Sequence, residues 1–417
     1  MSPAKPASMR RMALLLGGLA MFGPFSIDTV FPAFRQMAAQ LGTDAVAMQQ
    51  TVSVYLLTYG AMSVVHGPLS DALGRRRVIL AGLAVFVVAS AGCALSPNLP
   101  TLLAFRALQG LSAGVGMIVG RAAIRDLFAG DDAQRLMSQV SMIFGIAPAV
   151  APVIGGWLLG WGQWPLIFWF LVAFSTLLLA AVALWLPETH PQAARQPLAP
   201  VRMLRDYVAI LGNRRFQRLA LAGALTFAGI FLYIASAPVL VMDLLGLDER
   251  GFAWLFVPTI GGMTLGAFAS GRAAGHITGA AQCRVGFACC GTAAALNLAY
   301  CALAAKLALP WAVLPLLLAG FGMALVFPIL ALAVLDMYPQ HRGAASSLQA
   351  FIQLILNAVV AGAVSPLLSH RPLWLALGMA GFFLLGWACW HRETRVAGRS
   401  LPDCPREAAA LEPTDSL

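Results

Sequence analysis

Two ionisable side chains stand within apolar runs of this 417-residue chain, Asp28 and Arg106. A charge at the centre of a membrane-spanning helix costs roughly 2.5–3.5 kcal/mol on insertion scales, so each calls for a purpose. Asp28 lies six residues before Phe34, where the first run ends, and Arg106 six residues after Pro100, where the fourth begins. At 1.5 Å of rise per residue both then lie about 9 Å below the same face. At an effective dielectric near 20, opposite charges 4 Å apart attract by roughly 4 kcal/mol. Protonating Asp28 weakens that attraction, so the pair suits proton carriage, with a cationic or polar substrate competing for the carboxylate. The bland alternative is a static buried ion pair, which seldom stabilises a protein in lipid.

Helices must position these groups. Sixty per cent of the residues are hydrophobic and 11 per cent charged, too little polar surface to cover a soluble globule. Spanning runs of roughly 20 apolar residues recur twelve times, near Met12–Phe34, Ala47–Gly67, Val78–Ser96, Thr101–Gly120, Met137–Gly160, Leu166–Leu186, Phe216–Val241, Phe252–Gly271, Val285–Ala305, Val313–Leu335, Ala344–Leu367 and Leu373–Trp390. The first run follows Lys5, Arg10 and Arg11 but continues past Asp28 without a convincing cleavage site, so it reads as a span and not a signal peptide. Cytoplasmic loops retain Lys and Arg. With the amino terminus inside, 22 basic residues are cytoplasmic and four (Arg35, Arg250, Lys306, Arg371) are outside. Both termini are therefore expected in the cytoplasm, and the net charge of +10 reports topology and no nucleic-acid partner. The seven cysteines show no metal-ligand or disulfide framework spacing.

The expected architecture is all-α and integral to the membrane. A Pro- and Arg-rich stretch, 187–215, separates an amino-terminal six-helix bundle, 1–186, from a carboxy-terminal one, 216–391, with a cytoplasmic tail at 392–417. The halves echo each other, as transporter repeats do. Asp28 stands four residues before Pro32 and Ile234 four before Pro238. The echo fails at the charged position, which assigns proton chemistry to the first half.

Between the second and third spans runs GPLSDALGRRR, Gly67 to Arg77, a tight connection in which glycines permit a sharp turn and Asp71 can bond local amides or Arg75. RALQG, Arg106 to Gly110, lies in span four, and GIAPAVAPVIGG, Gly145 to Gly156, in span five. Small residues there allow close helix packing and prolines alter the backbone path. The order of the first stretch resembles the loop signature of the major facilitator superfamily, and the other two resemble the helix-four and antiporter motifs of its proton antiporters. IDTVFPA from Ile27, GRAAIRDLF from Gly120, and the stretch Asp336–Ser347 narrow the resemblance to the Bcr/CflA drug-resistance branch.

That resemblance implies the major facilitator fold, with twelve transmembrane helices in two six-helix bundles. It also implies an alternating-access antiporter in a bacterial inner membrane, exchanging protons for drug-like compounds such as phenicols. Asp28 would be its protonatable carboxylate and Arg106 its helix-four arginine. Gly67, Asp71, Gly74, Arg75 and Asp126 would form a cytoplasmic latch holding the outward-facing state, and Gly145, Pro148, Pro152, Gly155 and Gly156 the antiporter-motif helix. Ala72 replaces a basic residue of the loop signature and Ala151 a glycine of the antiporter motif.

Tyr55, Tyr59, Gln109, Met142 and Tyr233 lie on core spans where an amphipathic ligand can stack and hydrogen-bond beside Asp28, although packing is the commoner role for each. No metal or organic cofactor is expected; the proton gradient supplies the energy, and a monomer can hold the whole site. A symporter or facilitator for a sugar, nucleoside or other metabolite can use the same carboxylate. The GLSAG string, Gly110 to Gly114, fits the serine-hydrolase pattern, but that chemistry needs a strand-to-helix turn. No charged or carbonyl-rich filter sequence suggests a channel.

Overall fold

A computed structural model of the chain describes residues 9–397 apart from 129, 193, 194, 196, 197, 305 and 340. Lys5, Arg399, Arg406, Cys404 and tail positions 398–417 lie outside the described residues. The first half comprises α1 (Met9–Asp28, resumed as Phe34–Gln40), α2 (Ala45–Leu73) and α3 (Arg75–Ala94). It continues with α4 (Leu99–Gly114, running on to Leu127), α5 (Gly130–Leu159) and α6 (Pro165–Trp185). The second half comprises α7 (Arg214–Ala235), α8 (Ala253–Ala273), α9 (Gly279–Leu303), α10 (Leu314–Asp336), α11 (Arg342–Val359, running on to Leu368) and α12 (Pro372–Ala397).

Helix starts follow local chemistry. Asp44, Asn98 and Thr278 cap α2, α4 and α9 by accepting from the backbone amides of Ala47, Thr101 and Ala281. Among the described residues eleven helices are long and apolar enough to cross a membrane. α2, at 29 residues, misses that set on composition alone, because Gln49, Gln50, Thr51, Ser53, Thr58, Ser63 and His66 interrupt its apolar run. Of these, Gln50 and Ser53 bond to α11, whereas the hydroxyls of Thr51, Thr58 and Ser63 bond back to carbonyls of α2 itself.

The repeat anticipated at two prolines extends to the packing. In the first half α1 packs on α5, α2 on α4, and α3 on α6; six helices later α7 packs on α11, α8 on α10, and α9 on α12. The halves meet where α2 lies against α11 and α5 against α8. Every second connection, with the 187–213 linker, falls on one face of the molecule, here the linker face; the opposite one is the far face. Apart from bonds made by the linker helix, three hydrogen bonds join the halves among the described residues, Arg35 to Asp243 (3.1 Å), Gln50 to the Gly362 carbonyl (2.8 Å) and Ser53 to the Ala358 carbonyl (2.8 Å). All lie toward the far face, so the halves are closed there.

Two elements border the second half. Within the linker Pro200–Gly212 is a helix, with Pro200 at its start and Asn213 after its end. Its Tyr207 and Ile210 pack into the second-half core with Phe216, Leu330 and Trp390. α12 continues past Trp390 to Ala397, where buried Glu393 pairs with Arg215 (2.8 Å) and Arg218 (2.7 Å) of α7.

Candidate functional site

The first span was expected to run unbroken to Phe34; it stops at Asp28, and a 3-10 turn, Phe31–Ala33, precedes the resumed helix. Pro32 lacks an N–H and its ring crowds the carbonyl of residue 28. Ser26 and Thr29 hydroxyls donate back to the Phe22 and Phe25 carbonyls (2.8 and 2.5 Å), a pattern that bends helices. The Val30 amide turns to Ile27, leaving the Ser26 carbonyl without a helical partner. Asp28 therefore occupies the end of a broken helix, 6% exposed, and its carboxylate has no hydrogen bond or ion pair within 4 Å among the described residues.

Arg106 answers the break. It is fully buried in α4; Nη1 donates to the freed Ser26 carbonyl (2.9 Å) and to Gln109 Oε1 (2.7 Å), and Nε donates to the Thr51 carbonyl of α2 (3.1 Å). Its guanidinium lies 4.5 Å from the Tyr55 ring centroid, within cation–π reach. Gln109 Nε2 donates in turn to Ser90 of α3 (2.8 Å). Among the described residues Asp28 and Arg106 form no direct ion pair, so the static-pair alternative is not what the structure shows. The guanidinium is bonded to backbone dipoles two residues away along α1, and Nη2 has no partner among the described residues. Arg106 is thus a rigid fork joining α1, α2 and α4, as its planar donor geometry permits.

Of the remaining pocket candidates, the structure gathers three around this network. Tyr55 and Gln109 are buried in it, and Tyr59 meets Tyr55 edge to face with centroids 6.2 Å apart. Two lie elsewhere. Met142 is 65% exposed on an apolar stripe of α5 with Ile146, Val150 and Val153. Tyr233 is buried in the second half, where its hydroxyl accepts from Asn297 Nδ2 (2.5 Å). Rotation about the helix axis, which sets both placements, was not legible in the sequence. Ser26, Thr51 and Ser90 were missed; the first two act through their carbonyls, which leave no side-chain signature, and Ser90 is a lone small polar residue in an apolar span.

The antiporter-motif glycines divide their work. A Cβ on Gly155 would stand 2.1 Å from the Thr29 carbonyl oxygen, and one on Gly156 would stand 2.3 Å from that of Glu249, between α7 and α8. Gly155 thus lets α5 touch the α1 break, and Gly156 lets it touch the other half. Gly145 has open space around it, and Pro148 and Pro152 lie inside α5.

The loop residues do form a cluster. Arg75, largely buried, pairs with Asp71, donates from Nε to Asp126 (3.1 Å) and from Nη1 to Ser70 Oγ (2.6 Å). Glu188, missed in the sequence, accepts from the Arg75 amide (2.8 Å) and so caps α3; Thr189 donates to Asp126 (3.0 Å). Gly74 has φ 101°, a conformation that favours glycine, and a Cβ there would meet Glu188 at 2.5 Å. Gly67 has nothing within 4 Å. The cluster is intact while the far face is closed, and all its members precede residue 196.

Ser112 of the GLSAG string donates to the Gln109 carbonyl (2.9 Å) inside α4, as a helical serine does. No group of three or more His, Cys, Asp or Glu among the described residues is placed to hold a metal ion.

Repeated helix packing around a buried carboxylate and arginine defines a polytopic membrane transporter. A family description, Major Facilitator Superfamily, matches residues 14–361, and the chain belongs to that family, among its drug-resistance transporters. Multidrug resistance protein D of Escherichia coli (strain K12) is 30% identical over 406 residues, spanning 94% of this chain and 98% of that protein. A chloramphenicol resistance protein of Pseudomonas aeruginosa is 29% identical over 367 residues, spanning 87% and 84%. A bacterial homologue of the human lysosomal transporter Spinster, solved inward-facing and unoccupied, superposes with TM-score 0.71 at 16% identity over 94% of this chain and 98% of its own, a likeness of fold.

Proposed function

We propose that this transporter is a proton-driven antiporter exporting small amphipathic organic compounds from a bacterial cytoplasm by alternating access. The observation that carries the reading is Asp28, a buried carboxylate at a helix break with no partner of its own beside the Arg106 network. An ionised carboxylate in lipid needs a partner; a proton or a cationic or polar substrate supplies one in turn, and exclusive occupancy is what couples their movements.

The half-units are 1–186 and 216–391, and the linker face is cytoplasmic, as the 22-to-4 division of basic residues supports. Closure at the far face is the arrangement that an inward-facing state requires. Substrate enters from the linker face beside Tyr55, Tyr59 and Gln109. The Asp71–Arg75–Asp126 cluster, with Glu188 and Thr189 beside it, would act as a cytoplasmic latch for the outward-facing state.

Inside-out membrane vesicles with an imposed pH gradient test the direction of exchange, with phenicols, lipophilic cations and nucleosides as probes. Uptake of a probe into acid-inside vesicles, with proton release from the lumen, is the expected result. Probe movement in the same direction as protons would make the protein a symporter, and equilibration without proton movement a facilitator; either would overturn the export reading.

A further inference from the structure

Pro68 leaves a second carbonyl unpartnered, in α2. A helical carbonyl accepts from the amide four residues on, and Pro68 has none to offer Val64. The vacancy is filled from across the molecule: Tyr207 of the linker helix donates its phenol hydroxyl to the Val64 carbonyl at 2.7 Å. Tyr207 is buried, and its helix packs on α7 and α11. Val64 in turn packs against the second-half core cluster to which Tyr207 and Ile210 belong. Burial, and secondarily Asp206, raise the phenol's pKa, so the donated proton is retained.

The position of this bond sets it apart. Among the described residues the other hydrogen bonds between the halves start from Arg35, Gln50 and Ser53, toward the far face. Val64 lies 14 residues beyond Gln50, about 21 Å along α2, toward the linker face. The linker helix packs on the second half, so the Tyr207 hydroxyl is a polar tie between that half and α2 at the linker face.

We propose that Tyr207 is a positioning residue for the alternating movement, its hydroxyl holding the linker helix on the Val64 carbonyl that Pro68 frees and thereby resisting separation of the halves at the linker face, which favours the far-face-open state. This rests on the alternating-access reading. The test is a distance distribution across the far face, from spin labels on Pro97→Cys and Lys306→Cys in the full chain, with accessible native thiols replaced, in lipid nanodiscs. Both positions are exposed in far-face connections.

Tyr207→Phe keeps the ring in its core and removes the donor. A hydrogen bond of ordinary strength corresponds to about a two- to tenfold change in an equilibrium, and the ratio of far-face-open to far-face-closed molecules is expected to fall by that factor, a rise contradicting the proposal. Pro68→Ala gives Val64 a helical partner and separates positioning from mere satisfaction of a carbonyl. Alone it leaves the distribution near wild type, since a carbonyl accepts two bonds; added to Tyr207→Phe it leaves the shift in place. An unchanged distribution in folded Tyr207→Phe, or full restoration by Pro68→Ala, would overturn the proposal. A single distance in wild type at every pH tested would overturn the alternating-access reading and the proposal with it, an outcome distinct from two wild-type populations that ignore Tyr207.

Discussion

The two broken helices of this transporter share a backbone defect and differ in what surrounds it. α1 breaks at Asp28 before Pro32, and α7 breaks after Ala235 before Pro238. Each resumes as a turn of altered pitch, 3-10 at Phe31–Ala33 and π at Val239–Leu244. At the first break a freed carbonyl receives the Arg106 guanidinium beside an unpartnered carboxylate. At the second, Ser236 shares a hydrogen bond with Ser365 of α11 (2.7 Å), and Tyr233 accepts from Asn297. Proline makes a hinge from the backbone alone, so the repeat supplies the hinge twice, while the side chain four residues earlier gives one copy its charge.

Exchanging the charged position tests that division most severely. Asp28→Ile combined with Ile234→Asp leaves both prolines and moves the carboxylate to a break without an arginine. pH-driven probe flux in vesicles is expected to fall to the level of vesicles lacking the protein. Recovery of flux would make the two breaks chemically equivalent.

A smaller but still large effect is expected for Arg106→Lys. One ammonium on a flexible stem cannot serve the Ser26 carbonyl, the Thr51 carbonyl and Gln109 together as a planar fork does. Flux should drop at least about tenfold, with a stability loss of about 2–4 kcal/mol as buried acceptors lose charged donors, read by unfolding in detergent. Wild-type stability would show that the guanidinium does not tether the break.

The least severe change sharpens the comparison through α5. Gly155→Ala pushes a methyl into the Thr29 carbonyl and should destabilise by about 1–3 kcal/mol, a typical overpacking penalty. Gly156→Ala presses on Glu249 of the other half and should raise the far-face-open fraction in the distance measurement. Gly145→Ala, in open space, should do neither, and equal effects at all three positions would dissolve the distinction.

Much of this was legible in the sequence. Spans, linker position and the Asp28–Pro32 and Ile234–Pro238 echo follow from apolar run length and proline spacing, and the helices formed within a few residues of them. Asp71, Arg75 and Asp126 came together because turn chemistry is local and their order resembles a known loop. What stayed hidden depends on rotation and backbone acceptors. Sequence gives Arg106 a depth but not its preference for carbonyls over Asp28. It gives Tyr233 a helix but not its orientation toward Asn297, and it shows Tyr207 and Pro68 without the bond that links them.

The central claim is that one carboxylate, Asp28, carries the proton. Purified wild type and Asp28→Asn, reconstituted in liposomes holding a lumenal pH indicator, are compared on addition of a transported probe. Asparagine preserves shape and removes the titrating group. Probe-induced proton movement in wild type that disappears in a folded, probe-binding Asp28→Asn is the predicted result; undiminished proton movement in the variant would contradict the account.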